Sequence, residues 1–379
     1  MFLQRLNPAS FSCALKEIGA HPTGQAIMAK KAKLLSFKIT DLPLSATLIL
    51  KQEALRVGAE LATPKNCILA QEKAYDCLLV GTLDQLQHLV QKCAKQDFGL
   101  KKLAKELETH FTLPKVAPAL MAIVNVTPDS FYPNSRHSAK TALEQIYRLL
   151  EQKIAYIDIG AASSRPDSLY TDASTEMARL KDLCTEIKSQ NLYKHAKFSI
   201  DTYNPQTATF ALEHGFCVLN DVNGFNDPRM FSVAKEFGAQ VVLMHSLGVP
   251  LRAHQQLTAK NLWIEMEAFF HAKITALKDH GIDNIILDIG FGFSKQSPEN
   301  LALIKHLTHF LHFGYPLLVG CSRKKSVGEV CAREVKDRLA GTLALHLKAL
   351  ENGASILRVH DIAEHLDILA IHNALLQIP

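Results

Sequence analysis

Short apolar runs between residues 119 and 360 end, one after another, in side chains able to hold a polar or charged ligand. The run at 120–124 stops at Asn125, ahead of Thr127-Pro128-Asp129-Ser130, a turn in which Pro128 biases Thr127 toward extended geometry. The run at 155–159 leads into Gly160-Ala161-Ala162-Ser163-Ser164-Arg165-Pro166, the next into Asp201-Thr202, and the next into Asn220-Asp221. Four more end at His245, at Asp288, at Cys321-Ser322-Arg323-Lys324 and at Arg358-Val359-His360-Asp361. One aspartate after an apolar run is ordinarily a helix N-cap, and Asp221 and Asp361 read that way. Eight polar tips in succession read instead as the lining of one pocket.

The residue types define what that pocket suits. Asp201, Asp288 and Asn220 supply acceptors and one amide donor. Carboxylates sharing a cavity repel unless donors or cations pair with them. A flat nitrogen heterocycle with an amidine-like N–H edge satisfies them, and Lys324 adds a donor and a positive charge. Arg165, Arg358 and His360 form a second, cationic group suited to phosphate oxygens. Asn125 is placed to orient a divalent ion on those phosphates, where oxygen ligands suit Mg²⁺. The expected ligand is a planar heterocycle at the floor with a diphosphate at the rim.

The elements that must position these groups are strands and helices in alternation. Strand patterns fall at 119–124, 154–159, 197–200, 217–219, 240–244, 284–288, 316–319 and 355–358. Helical patterns lie near 139–152, 173–190, 205–214, 228–237, 260–280, 298–312, 333–351 and 361–376. Eight alternations of this size predict a (β/α)8 barrel, whose catalytic groups sit at the C-terminal ends of the strands. A doubly wound open sheet is the structural competitor.

Ahead of the barrel, residues 1–112 predict a small α/β domain of unknown role, and 113–118, with Pro114 and Pro118, a linker. In that domain the pattern gives a strand at 34–39, a helix at 45–61 capped by Ser45, strands at 67–71 and 77–80, and helices at 83–96 and 100–111. The barrel then occupies 119–379. A net charge of +5 with no basic run longer than Arg323-Lys324-Lys325 points away from nucleic acid and anionic membranes. The eight cysteines include no C-x-x-C pair and read as thiols of a reducing compartment. No signal-peptide pattern and no spanning apolar stretch is present, so the expectation is a cytoplasmic protein.

Seven of these stretches together resemble dihydropteroate synthase, the pterin-binding barrel enzyme of folate biosynthesis. They are Asn125-Val126-Thr127-Pro128-Asp129-Ser130-Phe131, Ser199-Ile200-Asp201-Thr202, Asn220-Asp221-Val222, Met244-His245, Asp288-Ile289-Gly290-Phe291-Gly292-Phe293, Ser322-Arg323-Lys324 and Arg358-Val359-His360-Asp361. The resemblance implies condensation of 6-hydroxymethyl-7,8-dihydropterin diphosphate with 4-aminobenzoate, releasing diphosphate. It implies that Asp201, Asn220, Asp288 and Lys324 hold the pterin, and that Asp201, Asp288 and Lys324 act on the reacting ring. It implies that Asn125, Arg358 and His360 hold the diphosphate, with Mg²⁺ at Asn125. Ser164, Arg165, Pro166, Phe293 and Ser322 would line the aminobenzoate side, making the chain a sulfonamide target. A homodimer is implied as well.

The loop after the second barrel strand departs from the family's Gly-Gly-Glu-Ser-Thr-Arg-Pro, losing a glutamate and exchanging threonine for Ser164. Two rival readings are a pterin-dependent methyltransferase and a catalytically weak pterin-binding homologue. Finally, His306, His309 and His312 recur every third residue in a helical pattern. An α-helix fans such positions slowly around its surface, and no carboxylate or cysteine completes a metal site, so they read as a solvated helix face.

Overall fold

A computed structural model describes residues 1, 3–126, 139–162, 171–246 and 261–378, without the side chains of Ala9 and Ala139. It divides into two compact units, one of residues 1–113 with 373–379 and one of residues 114–372. The division falls within the predicted linker. The last residues of the final helix, expected in the barrel, group with the first unit.

In the first unit, helices α1 (Phe11–Glu17) and α2 (Pro22–Ala32) precede β1 (Leu34–Pro43), α3 (Leu44–Arg56), β2 (Glu60–Ala62), β3 (Ala74–Thr82), α4 (Leu83–Cys93) and α5 (Leu100–Thr109). The sheet is antiparallel, in the order β1-β3-β2. Burial alternates along β3, so Tyr75, Cys77 and Leu79 meet Leu50, Leu86 and Leu89 of the helices in one core. Thr82 and Gln85 form a reciprocal capping box that starts α4. Two expectations change. Residues 67–71 are no strand: Cys67–Leu69 is a 3-10 turn, started by the bond from Cys67 N–H to the Pro64 carbonyl, and Glu60–Ala62 pairs with β3 in its place. Helix α3 begins at Leu44, so Ser45 lies inside its first turn and caps nothing.

The second unit is a closed barrel of eight parallel strands. These are β4 (Ala119–Asn125), β5 (Tyr156–Gly160), β6 (Lys197–Asp201), β7 (Val218–Asp221), β8 (Gln240–Met244), β9 (Ile285–Asp288), β10 (Leu317–Val319) and β11 (Ile356–Val359), with β11 returning to pair with β4. Between them run α6 (Ala139–Glu151), α7 (Ala173–Ser189), α8 (Pro205–Glu213), α9 (Pro228–Phe237), α10 (Leu262–Asp279), α11 (Ser297–Lys305), α12 (Lys325–Cys331) and α13 (Leu339–Glu351), and α14 (Ile362–Gln377) closes the chain. Helix α12 was absent from the predicted pattern. The helix expected at 298–312 stops at Lys305 and continues as a 3-10 helix, Leu307–Phe313.

The side-chain alternation of a strand builds the site from this frame. Met121, Val218, Val242, Ile286, Leu318 and Ile356 point inward and pack as one apolar plug with Tyr156. Two residues further along the same strands, the inward positions are Ile123, Asp158, Asn220, Met244, Asp288, Gly320 and Arg358. The polar mouth is therefore the layer above a plug that excludes water from below. Among the described residues no helix is long and apolar enough to cross a membrane.

Candidate active site

Arg358 is the centre of the mouth. Its Nε donates to Asp158 Oδ2 at 2.6 Å and its guanidinium reaches Asp201 Oδ2 at 2.5 Å. Asp158 Oδ2 also accepts from Asn220 Nδ2 at 3.0 Å, while its buried Oδ1 has no hydrogen-bond partner among the described residues. Burial acts against charge on Arg358, but Asp158 and Asp201 outweigh it and raise its pKa further. Burial lifts Asp201 to about 7, opposed by Arg358 and reinforced by Asp158. The expected rim cation thus lies among the acids in this structure, bridging two of them.

Asp288 and Lys324 form a second opposed pair. Burial raises the Asp288 pKa against the pull of Lys324, and the Gly290 N–H donates to Asp288 Oδ1 at 2.7 Å. Burial lowers Lys324 to about 8, against the pull of Asp288. The Lys324 ammonium donates to the Phe291 carbonyl at 2.5 Å and lies 4.6 Å from the centre of the Phe293 ring. Lys324 lies close enough to Asp288, Arg358 and Asp201 for all three charges to act on it, which links this pair to the Arg358 bridge.

Ser322-Arg323-Lys324 divides its labour. Arg323 turns the chain at φ +53, forks onto Asp361 at 2.7 and 2.9 Å, and donates to the carbonyls of Val335 and Lys336. That strap ties the end of β10 to the end of β11 and leaves the next side chain, Lys324, to enter the mouth. Ser322 Oγ sits 2.9 Å from His360 Nδ1, and burial beside Arg358 pulls His360 down to about 4, so this imidazole is neutral at pH 7. Asp361 is therefore an anchor for Arg323. Asp221 is no helix cap: it accepts from the backbone N–H groups of Asn223 and Phe225, and Asp227 caps α9.

A Cβ on Gly160 would stand 3.6 Å from Asn125 Oδ1 and 3.5 Å from the Asp201 side chain, ordinary contacts that place Asn125 and Asp201 at one corner of the mouth. Gly290 is required strictly: at φ +62, a Cβ there would meet the His245 carbonyl at 2.0 Å. Ser164, Arg165 and Pro166 lie outside the described residues.

Three functional candidates were not singled out from sequence. Asp158 is charged at an inward position of a buried strand, a signal readable from the period-2 pattern once the register is known. Lys295 buries its ammonium on the carbonyls of Gly290 and Phe293 at 3.1 and 3.0 Å, with that of His245 at 3.4 Å, and burial lowers it to about 7. It fixes the strand-end loop that carries Phe293. Glu176, on the first turn of α7, accepts from Thr202, Asn204 and Thr207 and shapes the turn after Asp201. No local signal marks either residue.

The triple-histidine expectation also changes. In a 3-10 helix residues three apart eclipse instead of fanning, so His309 and His312 share a face. That face meets Glu267 of α10, at 2.6 Å from His309 and 3.4 Å from His312.

Residues 121–360 match the family model described as pterin binding enzyme. A bifunctional dihydropteroate synthase/dihydropteroate reductase of Helicobacter pylori is 53% identical over 376 residues, covering 99% of both chains. The dihydropteroate synthase of Streptococcus pyogenes is 35% identical over 264 residues, 68% of this chain and 96% of that protein. The solved structure of Xanthomonas albilineans dihydropteroate synthase with 4-aminobenzoic acid superposes with a TM-score of 0.63 at 32% identity, covering 71% of this chain and all of that one.

Proposed function

This chain belongs to the dihydropteroate synthases, and we propose that its barrel mouth joins a dihydropterin diphosphate to 4-aminobenzoate through the residues described above. The observation that carries the assignment of roles is the set of opposed charges that pairs Arg358 with the buried Asp158 and the half-buried Asp201, and brings Lys324 close to Asp288 and Arg358. Asp201, Asn220 and Asp288 offer acceptors to the N–H edge of the pterin, and Lys324 donates to its ring acceptors. As the diphosphate leaves, positive charge develops on the pterin methylene and spreads into the ring. Carboxylates fixed in a low-dielectric mouth stabilise that charge without reorganising.

Arg358, His360 and Asn125 receive the departing diphosphate in this reading. Substrate entry then requires Arg358 to exchange Asp201 for phosphate oxygens, which frees the carboxylate for the pterin. Asn125 offers a hard amide oxygen at its corner of the mouth, a donor that fits Mg²⁺ completed by phosphate oxygens. Bound there, Mg²⁺ would neutralise charge on the leaving group. Aminobenzoate attacks through a neutral amine, so no strong base is needed. Ser322 and Phe293, with Ser164, Arg165 and Pro166, form its side of the mouth. A homodimer in the cytoplasm completes this reading.

A second activity rests on the whole-length match to the bifunctional relative, which extends through residues 1–112 where the match to the Streptococcus protein does not. We propose that the chain also reduces dihydropteroate, with hydride from a reduced nicotinamide or flavin going to the C6=N5 bond and a proton to N5. Both activities are tested by incubating the full chain with dihydropterin diphosphate, 4-aminobenzoate and Mg²⁺, then adding the hydride donor. Dihydropteroate followed by its tetrahydro form is expected. Pterin binding without product would instead mark a weak homologue.

A further inference from the structure

The cluster under the aromatic flank of the barrel has the composition of a metal site. Glu267 and His271 stand one turn apart on α10, and His309 and His312 stand one turn apart on the 3-10 helix that follows α11. The ligand atoms of Glu267, His271 and His312 all lie within 4.8 Å of one another. Glu267 Oε2 is 3.4 Å from His312 Nε2 and 3.6 Å from His271 Nε2, and Glu267 Oε1 is 2.6 Å from His309 Nε2. Donors at the corners of a tetrahedral zinc site, with bonds of about 2.0–2.1 Å, are separated by roughly 3.3 Å. Two of the three separations already fall near that edge.

The tautomers favour a cation. His312 Nδ1 lies 2.6 Å from the His309 carbonyl, which can only accept, so the proton is on Nδ1. The other nitrogen, Nε2, then turns a lone pair toward a carboxylate. Two lone pairs at that distance repel unless His312 takes a second proton or a metal ion stands between them. A backbone carbonyl fixing one ring nitrogen while the other ligates is the usual outer shell of a metal-bound histidine. Phe313 packs 4.1 Å from the His312 ring and 5.0 Å from the His271 ring, and Phe310 5.1 Å from that of His309, giving the site an apolar wall. His271 is largely exposed and leaves an entry path.

We propose that Glu267, His271 and His312, with His309 holding the other oxygen of the Glu267 carboxylate, bind a zinc-class divalent cation that staples α10 to the segment leading into β10. Imidazole and carboxylate donors suit zinc, whereas magnesium and calcium prefer all-oxygen sets. The site lies on the helical layer, apart from the mouth where Mg²⁺ is expected.

The test uses the full chain without an affinity tag. Equilibrium dialysis against Zn²⁺ is expected to give one tight equivalent, and Co²⁺ substitution a tetrahedral visible spectrum lacking thiolate charge-transfer bands. Glu267→Gln and His312→Ala should each weaken binding by more than the roughly 10–100-fold that loss of an outer-shell partner costs. His271→Ala deletes the most exposed ligand and with it only an edge contact to Phe313, and it should weaken binding in the same direction. Zn²⁺ should also raise the Tm of the parent and not that of His312→Ala. Absence of stoichiometric Zn²⁺ would overturn the proposal. So would binding unchanged in all three variants, or thiolate bands that vanish with Cys331→Ser.

Discussion

Replacing Arg358 by methionine removes the cation that bridges Asp158 and Asp201 while keeping most of the side-chain volume. Asp158 is fully buried; among the described residues its Oδ1 already lacks a hydrogen-bond partner and its Oδ2 would keep only the Asn220 amide. Deleting one member of a buried ion pair costs about 3–5 kcal/mol, because the remaining charge stays desolvated. For a domain of this size that corresponds to a Tm lower by roughly 6–20 °C. The sign with pH is fixed by linkage. Without Arg358 the folded-state pKa of Asp201, which Arg358 holds down, rises further above its unfolded value, so the folded state binds an extra proton there. The penalty is then full above that raised pKa and fades as pH falls toward the ordinary carboxylate range. Thermal unfolding of parent and Arg358→Met at about pH 5.5 and about pH 8 should show the larger deficit at the higher pH. Adding Asp158→Asn should recover a substantial part of it. A deficit below about 1 kcal/mol at the higher pH would refute the reasoning, since surface-type substitutions lie within that range. A deficit that grows on acidification would refute it equally.

Pterin capture by the free enzyme should follow a bell in pH. It improves as Asp201 ionises near about 7 and declines as Lys324 loses its proton near about 8, so kcat/KM is expected to peak between them; a profile flat across that window would contradict the assigned roles. Lys295→Met should raise KM for 4-aminobenzoate more than for the dihydropterin, because Lys295 holds the Phe293 carbonyl. Burial also lowers the Lys295 pKa to about 7, so the unfolded chain binds the extra proton above that value and the parent gains stability from there up to the ordinary lysine range. Tm measured against pH should lose part of that rise in the variant.

The barrel was legible because parallel strands buried on both faces read as plain apolar runs, and each ends within a residue or two of its predicted limit. The polar tips were legible for a related reason: they follow those runs, where a buried strand must stop. What the sequence hid was pairing across long separations. Arg358 meets Asp201 across 157 residues and Asp158 across 200, and no local pattern encodes a bridge between strands. Asp158 escaped notice because it stands between Ile157 and Ile159 inside a strand and not at its tip. Lys295 is visible only once the carbonyls it binds have converged. The histidine row was misread because a period of three means opposite things on an α-helix and a 3-10 helix. Its carboxylate partner came from a different helix. Cys67–Leu69 shows the converse error, an apolar triplet taken for a strand although Ile68 and Leu69 are exposed.

The central claim is that Asp201 and Lys324 act together at one mouth on the pterin. Turnover of dihydropterin diphosphate with 4-aminobenzoate by Asp201→Asn and Lys324→Ala tests it most directly, with near-ultraviolet circular dichroism verifying the fold. Each variant should lose at least about a hundredfold in kcat/KM, as expected when a buried charged partner of the reacting ring is removed. The double variant should lose much less than the product of the two, because both serve one bound ring. Near-parental turnover in either single variant, with the fold intact, would contradict the account.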